Sequence, residues 1–172
     1  NKNLLLNLNP GFENDLESWA YEADYGEFGM SEIFFDDPEA VHSGKKGAKL
    51  HVTEAGYIDW HVKLSIPSQW EAVKDQKYLL TFWAKSQNPS KKLPLKCSAG
   101  LPDFTEIDKK TFTLNDDWKK FEFEFTSLED GTGAVLLTFC LGLDTGIFYF
   151  DDFVLKAVGK ITSIRWSRIP PQ

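Results

Sequence analysis

The chain has no apolar run near the about 18 residues that would cross a bilayer as a helix. Its first residues, from Asn1 to Leu6, are too few for the roughly 7–15-residue apolar stretch of a signal peptide, and a mature or excised piece would lack one in any case. Basic charge is scarce. Against 26 Asp and Glu stand 19 Lys and Arg, a net charge of −7, so the basic stripe that nucleic acid or an anionic membrane requires is missing. Two cysteines, Cys97 and Cys140, cannot make a disulfide framework. His42, His51 and His61 show no zinc spacing, and nucleophile-elbow, phosphate-loop and dinucleotide motifs are absent. Helical periodicity is nearly absent too. Only residues 68–75, with Trp70 and Val73 three apart, read as a helix-like piece of one or two turns.

Aromatic residues are plentiful: 15% of the chain, with 14 Phe and 6 Trp. With little helix to absorb them, they imply a broad aromatic β-core, an exposed aromatic platform, or both. Alternation of period two dominates. Phe121-Glu122-Phe123-Glu124-Phe125 puts its Phe on one face and its Glu on the other. In residues 135–141 the inward set is Val135, Leu137, Phe139 and Leu141, with Thr138 and Cys140 opposite. Residues 78–85 place Leu80, Phe82 and Ala84 together, and Ile58, Trp60, Val62, Leu64 and Ile66 form another set. Residues 49–53, 95–99 and 148–155 add further strands. Turn signals separate these runs, among them Ser43-Gly44, Asn88-Pro89-Ser90 and Asp130-Gly131-Thr132-Gly133. Such a pattern predicts an all-β fold, an antiparallel sandwich. Residues 1–158 read as the one module, and 159–172, ending Pro170-Pro171-Gln172, as a linker or a frayed tail. Cys97 shares a face with Leu95 and Ala99, whereas Cys140 lies opposite the inward set of its own strand. Two free thiols are therefore expected.

Both ends carry carboxylates beside apolar runs: Asn9-Pro10-Gly11-Phe12-Glu13 and Phe148-Tyr149-Phe150-Asp151-Asp152-Phe153. An uncompensated charge there is costly. If the first and last strands lie side by side, Glu13 and one Asp of the pair can share a hard cation. Otherwise Glu13 caps backbone N–H groups and the Asp pair stands solvated at a strand end.

These motifs, with Leu16-Glu17-Ser18-Trp19, Val41-His42-Ser43-Gly44-Lys45-Lys46, residues 77–86 and Asp117-Trp118-Lys119-Lys120-Phe121, resemble in residues and order the bacterial carbohydrate-binding modules of families 4, 9 and 22. The resemblance implies a jelly-roll sandwich, non-catalytic and monomeric, attached to a secreted or cell-surface glycoside hydrolase. The implied partner is a single β-linked chain such as xylan, β-glucan or amorphous cellulose. It also implies a structural Ca2+ held by Glu13 and Asp151, the first of the Asp pair, with backbone carbonyls near Gly11, Ser43 and Lys46. Calcium takes six to eight oxygens, carbonyls included.

Sugar rings need flat aromatics for stacking and polar groups for their hydroxyl rim. The resemblance implies Trp60 and Phe104 as the stacking pair, and Tyr21 as a further cleft aromatic. Phe104 follows a Pro in a polar loop and is expected to be exposed. Trp60 falls with the core set by alternation, and a strand start near Asp59 would be needed to turn it outward. Tyr57 and Trp83 read as half-buried packing. Where relatives carry Gln or Glu three residues after the tryptophan, this chain has Lys63; where they carry His or Gln, it has Cys140, a poor hydrogen bonder. Glu106 remains an acceptor for sugar hydroxyls. Asp103, Glu106 and Asp108 fall in one loop stretch, a poor basis for the two facing carboxylates of a glycosidase. The rival to a sugar binder is a structural or protein-interaction sandwich.

Overall fold

A computed structural model describes residues 2–23 and 28–159. The strands are β1 Ala20–Glu22, β2 Met30–Phe34, β3 Ala48–Glu54, β4 Lys63–Ser65, β5 Glu71–Ala72 and β6 Lys77–Ser86, then β7 Lys91–Ala99, β8 Glu106–Leu114, β9 Lys119–Thr126, β10 Gly131–Thr132, β11 Val135–Cys140 and β12 Gly146–Val158. Two five-stranded sheets result, in the orders β1-β4-β11-β7-β8 and β2-β3-β12-β6-β9, with neighbouring strands antiparallel. This is the antiparallel sandwich expected from the alternation, in the jelly-roll form that the resemblance implies. Residues 160–172 of the expected tail lie outside the described residues.

The sheets face each other across their apolar sides. Leu64, Leu95, Leu137 and Phe139 of one sheet and Leu50, Phe82, Phe150 and Phe153 of the other are all buried. Ring contacts cross the gap, with Phe139 centred 5.3 Å from Phe82 and 5.0 Å from Phe150. Phe121, Phe123 and Phe125 are buried while Glu122 and Glu124 between them are exposed, as the alternation requires.

Several elements depart from expectation. Residues 68–75 form no helix; Glu71–Ala72 instead pairs with β10 as a small ribbon. Proline at 67 and the short run leave too few turns to nucleate a helix, and ribbon pairing satisfies the backbone. β8 begins at Glu106, so Glu106 and Asp108 sit on a strand, not on the loop that holds Asp103. Residues 4–19 are turns with no strand among them, yet the termini do meet: Leu4 N–H donates to Leu155 O at 2.8 Å and Phe153 N–H to Pro10 O at 3.1 Å.

Candidate functional site: a cleft on one sheet and a carboxylate clasp at the seam

Register builds the outer face of the first sheet in three rows, because residues directly paired across antiparallel strands share a face. One row is Glu22, Lys63 and Cys140; the next is Ser65, Thr138 and Lys96; the third is Leu136, Ser98 and Glu106. Together with Phe104 they line a cleft of about 570 Å3. Ser65 Oγ and Thr138 Oγ1 are 3.0 Å apart across its floor. Lys96 Nζ lies 2.6 Å from Asp59, whose carboxylate holds the ammonium above its ordinary range. Lys63 Nζ is 3.6 Å from Glu22. The cleft thus offers both donors and acceptors at fixed places.

Phe104 forms one wall. It is 51% exposed in the β7–β8 loop, which is closed by Phe104 N–H donating to Gly100 O and Ala99 N–H to Thr105 O. Its φ of +51° is rarely adopted by a bulky residue, and such strain tends to gather at ligand sites.

Trp60 is not in the core. A 3-10 turn, Asp59–His61, interrupts the alternation before β4, so His61 is buried while Trp60 stays 41% exposed. The turn is fixed at the Cys140 end of the cleft, where Gly142 N–H donates to Asp59 O and Asp59 reaches Lys96. A Cβ on Gly142 would stand 2.5 Å from Ile58 O, so only glycine permits this approach. Tyr57 is 67% exposed, more open than its packing role predicted, with Phe28 and His61 edge-on at 4.8 and 4.9 Å. Trp60 itself lies beside the cleft and is not among its lining residues.

Tyr21 lies elsewhere. It pairs with Leu64, and so faces the inside of the sandwich, where its hydroxyl is hydrogen-bonded to Ser31. Trp83 is on the outer face of the other sheet, stacked on His42 at 4.1 Å. Of the expected sugar-site residues, the cleft brings together Lys63, Phe104 and Glu106, leaves Trp60 at one end and excludes Tyr21. Lys96, Ser65, Ser98, Thr138 and Glu22 line the cleft beyond the residues the sequence pointed to. Parity held the signal for three of them, since Thr138 was already opposite the core set, and Lys96 and Ser98 flank the inward Cys97.

Both cysteines are free. Cys97 faces the core and Cys140 the cleft; burial pushes their thiols up to about 12 and about 11, so both stay protonated and unreactive near neutrality.

At the seam, Glu13 and Asp151 hold one turn between them. Asp151 Oδ2 accepts from His42 and Ser43 N–H at 2.9 and 3.1 Å, and Glu13 accepts from Lys45 and Lys46 N–H at 3.0 and 2.9 Å. A bulge in β12 between Asp151 and Val154, with Asp152 at φ +55°, lets Phe150 and Phe153 both reach the core while the acids turn toward this loop. Asp152 takes Ser43 Oγ and His42 Nδ1 at 2.7 and 2.6 Å. Asp151 is fully buried, and the peptide N–H groups of His42, Ser43 and Asp152, all neutral, donate to it. Burial, only partly offset by those bonds, pushes its carboxyl up to about 7. Glu13 caps N–H groups as the metal-free alternative had it, but Asp151 is not solvated.

Among the described residues no three His, Cys, Asp or Glu side chains converge on a metal-sized point. A cation here would therefore rest on two carboxylates and backbone carbonyls. That donor set fits calcium in kind, and a buried acid without a cationic partner fits it in charge.

The family model described as "Carbohydrate binding domain" (CBM_4_9) matches residues 5–146. No curated protein sequence matches the chain. Among solved structures, one described as "CBM4 structure and function" is 21% identical, covering 87% of this chain and 98% of its own, with a TM-score of 0.66. The second N-terminal cellulose-binding domain of Cellulomonas fimi β-1,4-glucanase C is 17% identical over 87% and 92%, with a TM-score of 0.64. TmCBM61, solved in complex with β-1,4-galactotriose, is 22% identical over 92% and 100%, with a TM-score of 0.62. At these identities the structures speak for the fold, while the family match spans most of the sequence; the chain belongs to the carbohydrate-binding domain family, as a non-catalytic sugar-binding module.

Proposed function

We propose that the cleft of the first sheet holds a single β-linked glycan strand, such as xylan, β-glucan or amorphous cellulose, and keeps an attached glycoside hydrolase near its substrate outside the cell. The observation that carries this reading is Phe104, an aromatic ring half exposed on a strained loop beside a polar-floored cleft. Phe104 stacks on a pyranose face, and Trp60 at the other end takes a neighbouring unit. Lys63 and Lys96 donate to ring hydroxyls, and Glu106 and Glu22 accept from them. Each such bond replaces one with water, so the net gain per bond is small and affinity is modest. Tethering then raises the local concentration of the enzyme at the polymer. Neighbours of this fold include one described as cellulose-binding and one solved with β-1,4-galactotriose, which widens the panel to galactan.

A calcium ion at the seam is part of the proposal. Glu13 and Asp151 would hold it, with carbonyls of Gly11, Ser43 and Lys46. Its task is to neutralise the buried acid and stabilise the fold, without chemistry.

Affinity electrophoresis against xylan, mixed-linkage β-glucan, galactan, mannan and soluble cellulose tests the sugar reading. Retardation by at least one, lost in Phe104→Ala with an unchanged melting temperature, is expected. Free migration through every gel would favour the structural or protein-interaction sandwich instead.

A further inference from the structure

Phe104 borders more than one cleft. A second cleft of about 540 Å3 opens on the other side, and Phe104 and Leu136 line both. Leu101, 83% exposed, and Pro102 form its apolar lip; Glu129, Asp130 and Thr132 form the facing rim. Backbone bonds fix the two walls to each other and to the segment that follows β4: Gly100 N–H donates to Ala134 O at 3.1 Å, and Gly133 N–H to Ser68 O at 2.8 Å. Asp130 is held by Lys74 N–H, 2.8 Å from Oδ1.

Resting on the reading that the first cleft takes a glycan, the geometry points to the second cleft as its continuation, carrying further sugar units of the same strand past the Phe104 ring. An exposed apolar lip opposite two carboxylates and a hydroxyl suits a pyranose, with C–H faces on one side and donating hydroxyls on the other. Among the described residues no Lys or Arg lines this cleft. Glu129 and Asp130 would meet a uronate with like charge, so the units accepted here are neutral.

Calorimetric titration with neutral xylo-, cello- and galacto-oligosaccharides of increasing length, and with oligogalacturonides, tests this. Wild-type affinity for the bound neutral series keeps rising at lengths where the Leu101→Ser/Glu129→Gln variant has levelled off. That variant loses about tenfold on the longest ligand and stays within about twofold on the shortest one bound, which a folding defect would not produce. Phe104→Ala weakens every length. If the double variant follows wild type at all lengths, the second cleft takes no sugar and the first-cleft reading stands. Absence of wild-type binding to every series removes both, and a gain with length on oligogalacturonides overturns the assignment to neutral units.

Discussion

The seam clasp and the sheet cleft are both rich in charge, and they use it in opposite ways. In the clasp, Glu13 and Asp151 are tied to consecutive peptide N–H groups of one turn, and Asp151 is sealed from water. In the cleft, Lys96 pairs with Asp59 and Lys63 approaches Glu22 at partly exposed positions, while Phe104 turns half its surface to solvent. A saturated, buried acceptor such as Asp151 fixes a shape. Side chains paired near water can exchange partners at little cost, as a site for a hydrated ligand requires. Changes in the clasp should therefore move stability, and changes in the cleft should move binding.

The largest separation is expected from Asp151→Ala. It strips acceptors from the His42, Ser43 and Asp152 N–H groups and should cost about 3 kcal/mol or more by denaturant unfolding. A loss under about 1 kcal/mol would mean the clasp is not what holds the termini.

The pH dependence sharpens the same contrast. With the folded-state carboxyl of Asp151 raised from 3.8 to about 7, the folded protein keeps this proton where the unfolded chain has released it. The stability it contributes is full below about pH 4 and is lost as pH rises through about 7. Chelator-treated protein should melt roughly 5–10 °C lower at pH 8 than at pH 5, and Asp151→Asn should flatten that slope. Added calcium at pH 8 should restore the melting temperature; a temperature indifferent to both calcium and chelator would remove the ion from the account.

Gly44→Ala comes next. Gly44 has φ +73°, and a Cβ there would stand 2.7 Å from Glu13 Oε2, so the turn must shift away from its carboxylate. A loss of about 1–2 kcal/mol is expected, without change in glycan affinity. The smallest effect belongs to Lys96→Met, which leaves stability within about 1 kcal/mol because the pair with Asp59 is partly exposed, yet lowers affinity severalfold. Equal affinity in Lys96→Met would take that ammonium out of the site.

Much of the fold was legible because half-buried strands write their faces into alternate residues. The Phe121, Phe123, Phe125 set and the opposite facing of Cys97 and Cys140 followed from parity alone. Three things were not. The first is Trp60, because a single 3-10 turn resets the phase of the alternation, and no local residue announces it. The second is β8, whose run Asp108-Lys109-Lys110-Thr111 is polar and exposed on both faces and so reads as loop. The third is Tyr21, whose inward direction depends on pairing with Leu64, a contact 43 positions away that local pattern does not encode. For the site, the resemblance supplied Phe104, and the floor residues Ser65, Ser98 and Thr138 needed the register of β4, β11 and β7.

The most direct measurement is a titration of isotope-labelled protein with whichever oligosaccharide retards it, read as amide shift changes along the chain. The largest changes are expected at Lys63, Ser65, Lys96, Ser98, Thr138 and Phe104, with the 42–46 turn and the Trp83 face of the other sheet unmoved. Changes concentrated around Trp83, His42 and Trp118, with the first sheet silent, would contradict it.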